Sequence, residues 1–159
     1  MSVAFTREED LESRAADLPD RPISPHPNLV TASGLAAIEQ ALAEANAAYA
    51  TARGAGDIST DRTPMARATR DLRYWSARRA TALLSEPEPI AGQVQFGRTV
   101  EVEREGGRRQ TFRIVGEDEA DPAAGRISYV SPLARALMGK EVGDVVSLGG
   151  GEVEVRGVR

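Results

Sequence analysis

The chain has 159 residues, of which 41% are hydrophobic and 28% charged, a composition typical of a soluble globular protein rather than a disordered one. Its formal net charge of −4 argues against nucleic-acid binding that depends on overall charge. There is no cysteine, which excludes disulfides and thiolate metal sites and fits a cytoplasmic protein. No apolar stretch approaches the length that crosses a bilayer, and we expect no membrane association.

Residues 1–30 are acidic at first and then rich in proline, with Pro19, Pro22, Pro25 and Pro27 in short succession. Proline fixes φ and removes a donor, so this segment is predicted to be extended. It is either a disordered tail or an arm that lies on its own body or on a partner. Three apolar residues would anchor such an arm: Leu18, Ile23 and Leu29.

A long helix is predicted to begin at Thr31 or Ser33, either of which can cap it. Its apolar residues follow at alternating steps of three and four, which is the a/d seam of a coiled coil. They are Leu35, Ile38, Leu42, Ala45, Tyr49 and Ala52. Gly54 and Gly56 are expected to end the helix.

A second helix is predicted after the short connection of residues 54–61, with Asp61 or Thr63 as its cap and Pro64 in its first turn. It repeats the a/d spacing at Met65, Ala68, Leu72, Trp75 and Ala82, with Arg79 in one seam position. Each seam is too narrow to be buried alone, so residues 31–86 are expected to form an antiparallel coiled-coil hairpin. Pro87 and Pro89 begin a stiff linker over residues 87–93.

The second helix carries many arginines and a single acidic residue, Asp71. This imbalance is typical either of a solvated face or of a basic stripe that faces RNA. Three of the arginines are best placed outside the seam and are therefore the candidates for contact with RNA or the channel: Arg67, Arg70 and Arg78. An exposed Tyr74 would be able to stack on a base.

From Val94 onwards the pattern changes to two-residue alternation. Strands are predicted at residues 94–96, 99–103, 111–115, 127–130, 145–148 and 153–158, with turns at 105–108 and 149–151. Ser131 and Pro132 are predicted as the cap and first residue of one short helix. Residues 94–159 are therefore expected to form a small antiparallel sheet with one helix, which makes the whole chain α+β.

The motifs of this second domain occur in a characteristic order. Val94-x-Phe96-Gly97 comes first, followed by Arg113-Ile114-Val115-Gly116-x-Asp118-Glu119-Ala120-Asp121. Ser131-Pro132-Leu133-Ala134-Arg135-Ala136-Leu137-Met138-Gly139-Lys140 follows, and then Gly143-Asp144. This order resembles the FKBP-like carboxy-terminal domain of the bacterial GreA and GreB transcript-cleavage factors, which Rnk-type polymerase regulators share. The resemblance covers roughly residues 31–159.

The resemblance implies a monomer that binds the rim of the secondary channel of RNA polymerase and is no stand-alone enzyme. The docking candidates are Asp118, Glu119, Asp121, Ser131, Pro132 and Arg135. The hairpin would enter the channel, where nascent RNA is its indirect partner. Asp57 and Asp61 would assist hydrolysis of backtracked RNA by sharing a Mg2+ with the polymerase, and no cofactor is expected on the factor alone.

The tip of the hairpin departs from the family pattern Gly-Asp-Leu-x-Glu-Asn-x-Glu-Tyr. Gly56-Asp57-Ile58 matches its start, but Thr60 stands where the family has Glu, and Asp61 comes one residue later. Asp57 and Asp61 are as consistent with purely structural roles, as a turn residue and a helix cap, as they are with a metal-assisting role. Stimulated RNA cleavage and non-catalytic occupation of the channel, which would inhibit transcription, therefore both stay open. A peptidyl-prolyl isomerase is a weaker alternative, because a fold does not carry function.

Overall fold

The computed structural model describes residues 18–55 and 62–159. They belong to two compact units. One unit contains the segment up to Pro25 together with Ala37–Thr81, and the other contains His26–Ala36 together with Ala82–Arg159. Across the described residues, no helix has the length and apolar character that crossing a membrane requires.

Two long helices dominate the first unit. The first, α1, spans Ala32–Ala55 and enters this unit at Ala37. The second, α2, spans Thr63–Thr81. Glu39 near the start of α1 forms an ion pair with Arg79 near the end of α2, with 3.0 Å between Oε1 and Nε. The helices of this unit therefore run antiparallel, as the sequence predicted.

The predicted seam of α1 is confirmed. Its six residues are all buried or half-buried, and Ile38 and Ala45 are only 1% and 6% exposed. On α2 the seam residues Met65, Ala68, Leu72 and Trp75 are buried or half-buried as well. The apolar residues that the sequence assigned to the two seams are therefore withdrawn from solvent on these helices.

The expected positions of two arginines were wrong. Arg79 was placed in the seam, yet it is exposed, because a charged guanidinium is costly to bury and this one pairs with the exposed Glu39. Arg78 was placed outside the seam and facing outwards, yet it is 2% exposed. Asp71, Tyr74 and Arg78 lie on one side of α2, and all three are buried or half-buried, so α2 has a second covered stripe beside the seam.

The second unit contains a five-stranded sheet. Its strands are β3 (Thr99–Arg104), β4 (Arg109–Val115), β5 (Arg126–Ser128), β6 (Val145–Leu148) and β7 (Gly151–Val158). Their order is β5-β4-β3-β7-β6. One short helix, α3, spans Pro132–Leu137, and a 3-10 turn spans Pro122–Ala124.

The sheet is mixed, whereas the sequence predicted it to be antiparallel throughout. All neighbours pair antiparallel except β4 and β5, which are parallel. The chain between these two strands is long enough to hold the 3-10 turn and so to return in the same direction. Residues 94–96 were predicted as a strand but form none, although Val94 and Phe96 are buried.

Alternation along the strands places the core on one face of the sheet. Val100 and Val102 of β3 are fully buried, and so are Ile114 of β4 and Val155 of β7. Leu137 of α3 covers them from the helix side. The predicted turns are confirmed, since Gly106, Gly107, Gly149 and Gly150 all adopt the positive φ that tight hairpin turns require.

A short parallel strand pair belongs to the same unit. It joins β1 (Leu29–Val30) to β2 (Leu83–Leu84), where Leu29 pairs with Leu83. Because β2 begins at Leu83, the second long helix ends at Thr81, several residues before the prolines that were expected to end it. Leu29 also packs against the core of the sheet, as expected of an anchor, whereas Ile23 is 48% exposed.

Gly116 is the residue that lets β1 approach the end of β4. A Cβ at this position would lie 2.2 Å from the carbonyl oxygen of Leu29, closer than any side chain tolerates. The neighbouring atom is backbone held in the β1–β2 pair, so it has little freedom to move. Glycine is required here for the close approach of two backbones.

We predict that Gly116→Ala lowers the free energy of unfolding of the sheet unit by about 1–3 kcal/mol, because overpacking displaces backbone. Urea unfolding followed by circular dichroism measures this loss. Gly151→Ala is the matched control, because its nearest contact would be at an ordinary 3.9 Å. Equal stability of the two variants would show that β1 does not need the space at Gly116.

Candidate functional site

The acidic tip residues lie outside the described part of the chain. Asp57 and Asp61 fall between the end of α1 at Ala55 and Arg62, the residue before α2. The carboxylate oxygens of two aspartates are suitable ligands for Mg2+. Within residues 18–55 and 62–159, no group of three or more His, Cys, Asp or Glu side chains could hold a metal ion.

The three candidate RNA-contacting arginines have different environments. Arg67 is exposed on α2. Arg70 is half-buried, and its Nε lies 3.8 Å from the carboxylate of Asp71. Arg78 is 2% exposed and is not available to a ligand in this conformation. Arg67, and Arg70 in part, therefore remain candidates for an external contact.

Glu119 is held inside the sheet unit, whereas the sequence suggested that it docks to a partner. Its Oε1 accepts a hydrogen bond from Thr31 Oγ1 at 2.5 Å, and its Oε2 accepts one from Ser33 Oγ at 2.7 Å. Arg113 Nη1 also donates to Ser33 Oγ, at 3.4 Å. A single carboxylate thus binds both hydroxyls at the start of α1.

Thr31 is the residue that caps α1. Its Oγ1 accepts a hydrogen bond from the backbone N–H of Gly34 at 3.0 Å, which satisfies one of the unpaired donors of the first turn. Thr31 is 2% exposed, so its hydroxyl depends on protein partners. A Cβ on Gly34 would lie 2.8 Å from Glu119 Oε1, so glycine makes room for the carboxylate. Glu119, Thr31, Ser33 and Gly34 form one cluster, which we call the helix-start clamp.

Of the other two acidic candidates, Asp121 serves local structure. Asp121 is exposed, and its Oδ2 lies 3.7 Å from Nη2 of Arg126. Its backbone also pairs with that of Arg126 in an isolated bridge. Asp118 is half-buried. Arg126 Nε donates to the backbone carbonyl of Glu119 at 3.2 Å, so this arginine fixes the loop that carries the clamp.

Ser131 and Pro132 begin α3, as the sequence predicted. Ser131 Oγ accepts a hydrogen bond from Ala134 N at 3.3 Å, which makes Ser131 the N-cap of α3. Pro132 follows in the first helical turn. Pro132 and Arg135 are both exposed, and so is Met138, which follows the last residue of α3. Pro132 and Arg135 are therefore accessible to a partner.

Sequence reasoning missed the contacts that hold residues 27–34 to the sheet unit. Tyr129 donates a hydrogen bond from its hydroxyl to the carbonyl of Pro27, and its ring packs edge-on to Phe96 at 5.8 Å. The clamp and the Leu29 contact add to this attachment. The glycine at position 116, directly after a strand, was the one signal of a close approach.

The comparisons with known proteins agree on one family. Residues 88–156 match the model described as "Transcription elongation factor, GreA/GreB, C-term". The chain is 35% identical over 149 residues to "Transcription elongation factor GreA" of Methylobacterium nodulans, which covers 81% of this chain and 94% of the relative. It is 39% identical over 114 residues to GreA of Desulfovibrio desulfuricans, covering 70% of this chain and 69% of the relative. It is 39% identical over 109 residues to GreB of Neisseria meningitidis serogroup B, covering 65% and 67%.

We predict that Glu119→Ala destabilises the sheet unit by about 1–3 kcal/mol, because the buried hydroxyl of Thr31 loses its charged acceptor. Hydrogen–deuterium exchange should also become faster at the first turn of α1, at Gly34 and Leu35, while exchange in β3 and β7 changes less. Denaturant unfolding and exchange mass spectrometry measure the two effects.

Glu152→Ala is the control, because it removes an exposed carboxylate from β7 of the same unit. We expect its stability to stay within about 0.5 kcal/mol of the parent. Unchanged exchange at the start of α1 in Glu119→Ala would contradict the clamp.

Proposed function

The chain belongs to the GreA/GreB family of transcription elongation factors, and we propose that it binds RNA polymerase through the sheet unit and presents the α1–α2 connection to the polymerase active site. The observation that carries this proposal is the match to a GreA at 35% identity over 94% of that relative's length. The match covers 81% of this chain, which is more than either unit contains, so it includes residues of both units. The relatives are named as factors rather than as enzymes, so the chemistry belongs to the polymerase.

The docking surface we propose is the exposed side of α3, with Pro132 and Arg135 as its first contacts. Both side chains are exposed on a helix whose other face, with Ala134 and Leu137, is buried in the core of the sheet unit. Glu119 is left out of this surface, because its carboxylate is engaged with Thr31 and Ser33. Asp118 and Asp121 would act by shaping the loop beside Arg126. The site on the polymerase is proposed to be the rim of its secondary channel, bound by one copy of this chain.

The two helices that flank the connection support this part of the proposal. α1 has 24 residues, which is about 36 Å of helix at 1.5 Å per residue. The ion pair between Glu39 and Arg79 joins the first part of α1 to the last part of α2, so the end of α1 and the start of α2 lie together at the opposite end of the helix pair. Asp57 and Asp61 belong to that connection by sequence.

The chemical role we propose for Asp57 and Asp61 is to lend carboxylate oxygens to the polymerase active site. A Mg2+ shared with the polymerase would stabilise the charge that develops when RNA is hydrolysed. Carboxylates suit this ion because it prefers hard oxygen ligands. Arg67 and the half-buried Arg70 would lie along the path of the RNA phosphates and attract them.

A backtracked elongation complex with 3′-labelled RNA tests this function. We predict that the protein accelerates release of a short 3′ fragment, and that Asp57→Ala reduces this acceleration by about tenfold or more while binding to the complex stays within about twofold of the parent. The reason is that a carboxylate at the metal contributes to the transition state and not to docking.

Glu44→Ala is the matched control, because it removes an exposed carboxylate that lies on α1 and outside the connection. It should leave cleavage close to the parent rate. Full cleavage by the Asp57/Asp61 double variant would refute the role of the tip. Reduced transcript yield without fragment release would instead favour a non-catalytic factor that occupies the same channel.

A further inference from the structure

The segment that precedes β1 contacts part of the second covered stripe of α2. Asp71, Tyr74 and Arg78 follow at steps of three and four, beside the seam but not in it. Residues 18–25 belong to the same unit as α2 and contact two of these three side chains. We call residues 18–25 the strap.

Arg21 is the main anchor of the strap. Its guanidinium carbon lies 3.8 Å from the centroid of the Tyr74 ring and 5.3 Å from that of Trp75. Its Nη1 lies 3.6 Å from a carboxylate oxygen of Asp71. The planar guanidinium thus stacks on an aromatic face while its charge is paired, a combination that lysine would not reproduce.

Asp20 adds a second contact of opposite charge. Its Oδ1 lies 3.1 Å from Nη1 of Arg73, which is also on α2. In the strap, the carboxylate of Asp20 thus pairs with Arg73, and the planar guanidinium of Arg21 stacks on Tyr74. A nucleotide in single-stranded RNA would satisfy the same two partners, because its phosphate pairs with arginine and its base stacks on an aromatic ring.

We propose that the strap is an internal competitor of single-stranded RNA for Arg73 and Tyr74. This inference rests on the proposed function and deepens it, because the strap would regulate access of RNA to the basic side of α2. In the strapped state Arg67 stays exposed, whereas Arg73 and Tyr74 are occupied.

The strap is held weakly enough to be displaced. Asp20 and Arg73 are 63% and 66% exposed in their side chains, so their ion pair is largely solvated and screened by salt. Pro19, Pro22 and Pro25 restrict the strap before it binds, which lowers the entropy lost when it lies on α2. Contacts of this strength hold the strap on α2, but a polyanion such as RNA can displace it by pairing with Arg73 instead.

The direction in which one substitution changes RNA affinity distinguishes a strap that covers the site from a strap that itself binds RNA. Arg21→Ala removes a positive charge, so it weakens RNA binding if Arg21 itself contacts RNA. If the strap covers the site, the same change releases it and tightens RNA binding. With a fluorescein-labelled oligouridylate and the full chain at constant salt, we expect roughly two- to fivefold lower Kd for Arg21→Ala, the range that a surface ion pair supports.

Arg108→Ala is the charge-matched control, because it removes an exposed arginine from the β3–β4 turn of the other unit. Its Kd should stay within about twofold of the parent or rise. Weaker RNA binding by Arg21→Ala than by Arg108→Ala would overturn the proposal, and so would undetectable RNA binding by both the parent and Arg21→Ala.

Trp75 reports strap release independently, since it is the only tryptophan of the chain. We expect Asp20→Asn, which removes the ion pair with Arg73, to increase acrylamide quenching of Trp75, and added salt to do the same in the parent. Unchanged quenching in both cases would overturn the strap as a releasable cover. Failure of the proposed function would appear elsewhere, as a parent protein that does not associate with RNA polymerase.

Discussion

The carboxylate of Glu119 is the constraint on which the start of the first long helix depends. It binds the hydroxyls of Thr31 and Ser33, and Thr31 in turn caps the helix through the amide of Gly34. Two glycines make the arrangement sterically possible, one beside the carboxylate and one where Leu29 passes the end of β4. The residues that begin α1 are therefore part of the sheet unit in physical terms, although they are far from it in sequence.

Periodicity predicted the regular elements because it depends on local burial. The seam of α1 from Leu35 to Ala52, the turn at Gly106 and the cap at Ser131 all follow from patterns within a few residues. The parallel pairing of β5 with β4 and the bond from Glu119 to Thr31 join residues distant in sequence, and nothing local specifies them. Arg78 lies on the same side of α2 as Asp71 and Tyr74, which Arg21 contacts from a distant part of the chain, and nothing local specified that contact.

Functional residues were predicted unevenly. Pro132 and Arg135 are accessible where the family resemblance placed a docking surface, whereas Glu119 was expected there and is engaged internally. Asp57 and Asp61, which carry the proposed chemistry, lie outside the described residues. Family membership rests on extended identity to a GreA. The proposed mechanism divides the molecule into a sheet unit that binds, helices that position the connection, and a strap that limits access to one side of α2.

Binding to RNA polymerase tests the central claim most directly, because docking, cleavage and inhibition all require it. The measurement is the association of the purified full chain with core RNA polymerase by biolayer interferometry, with Arg135→Glu as the variant of the proposed docking surface. The account predicts saturable one-to-one binding that Arg135→Glu weakens by about tenfold or more, since charge reversal at a contact costs affinity. No association of the parent protein, or equal binding by the variant, would contradict it.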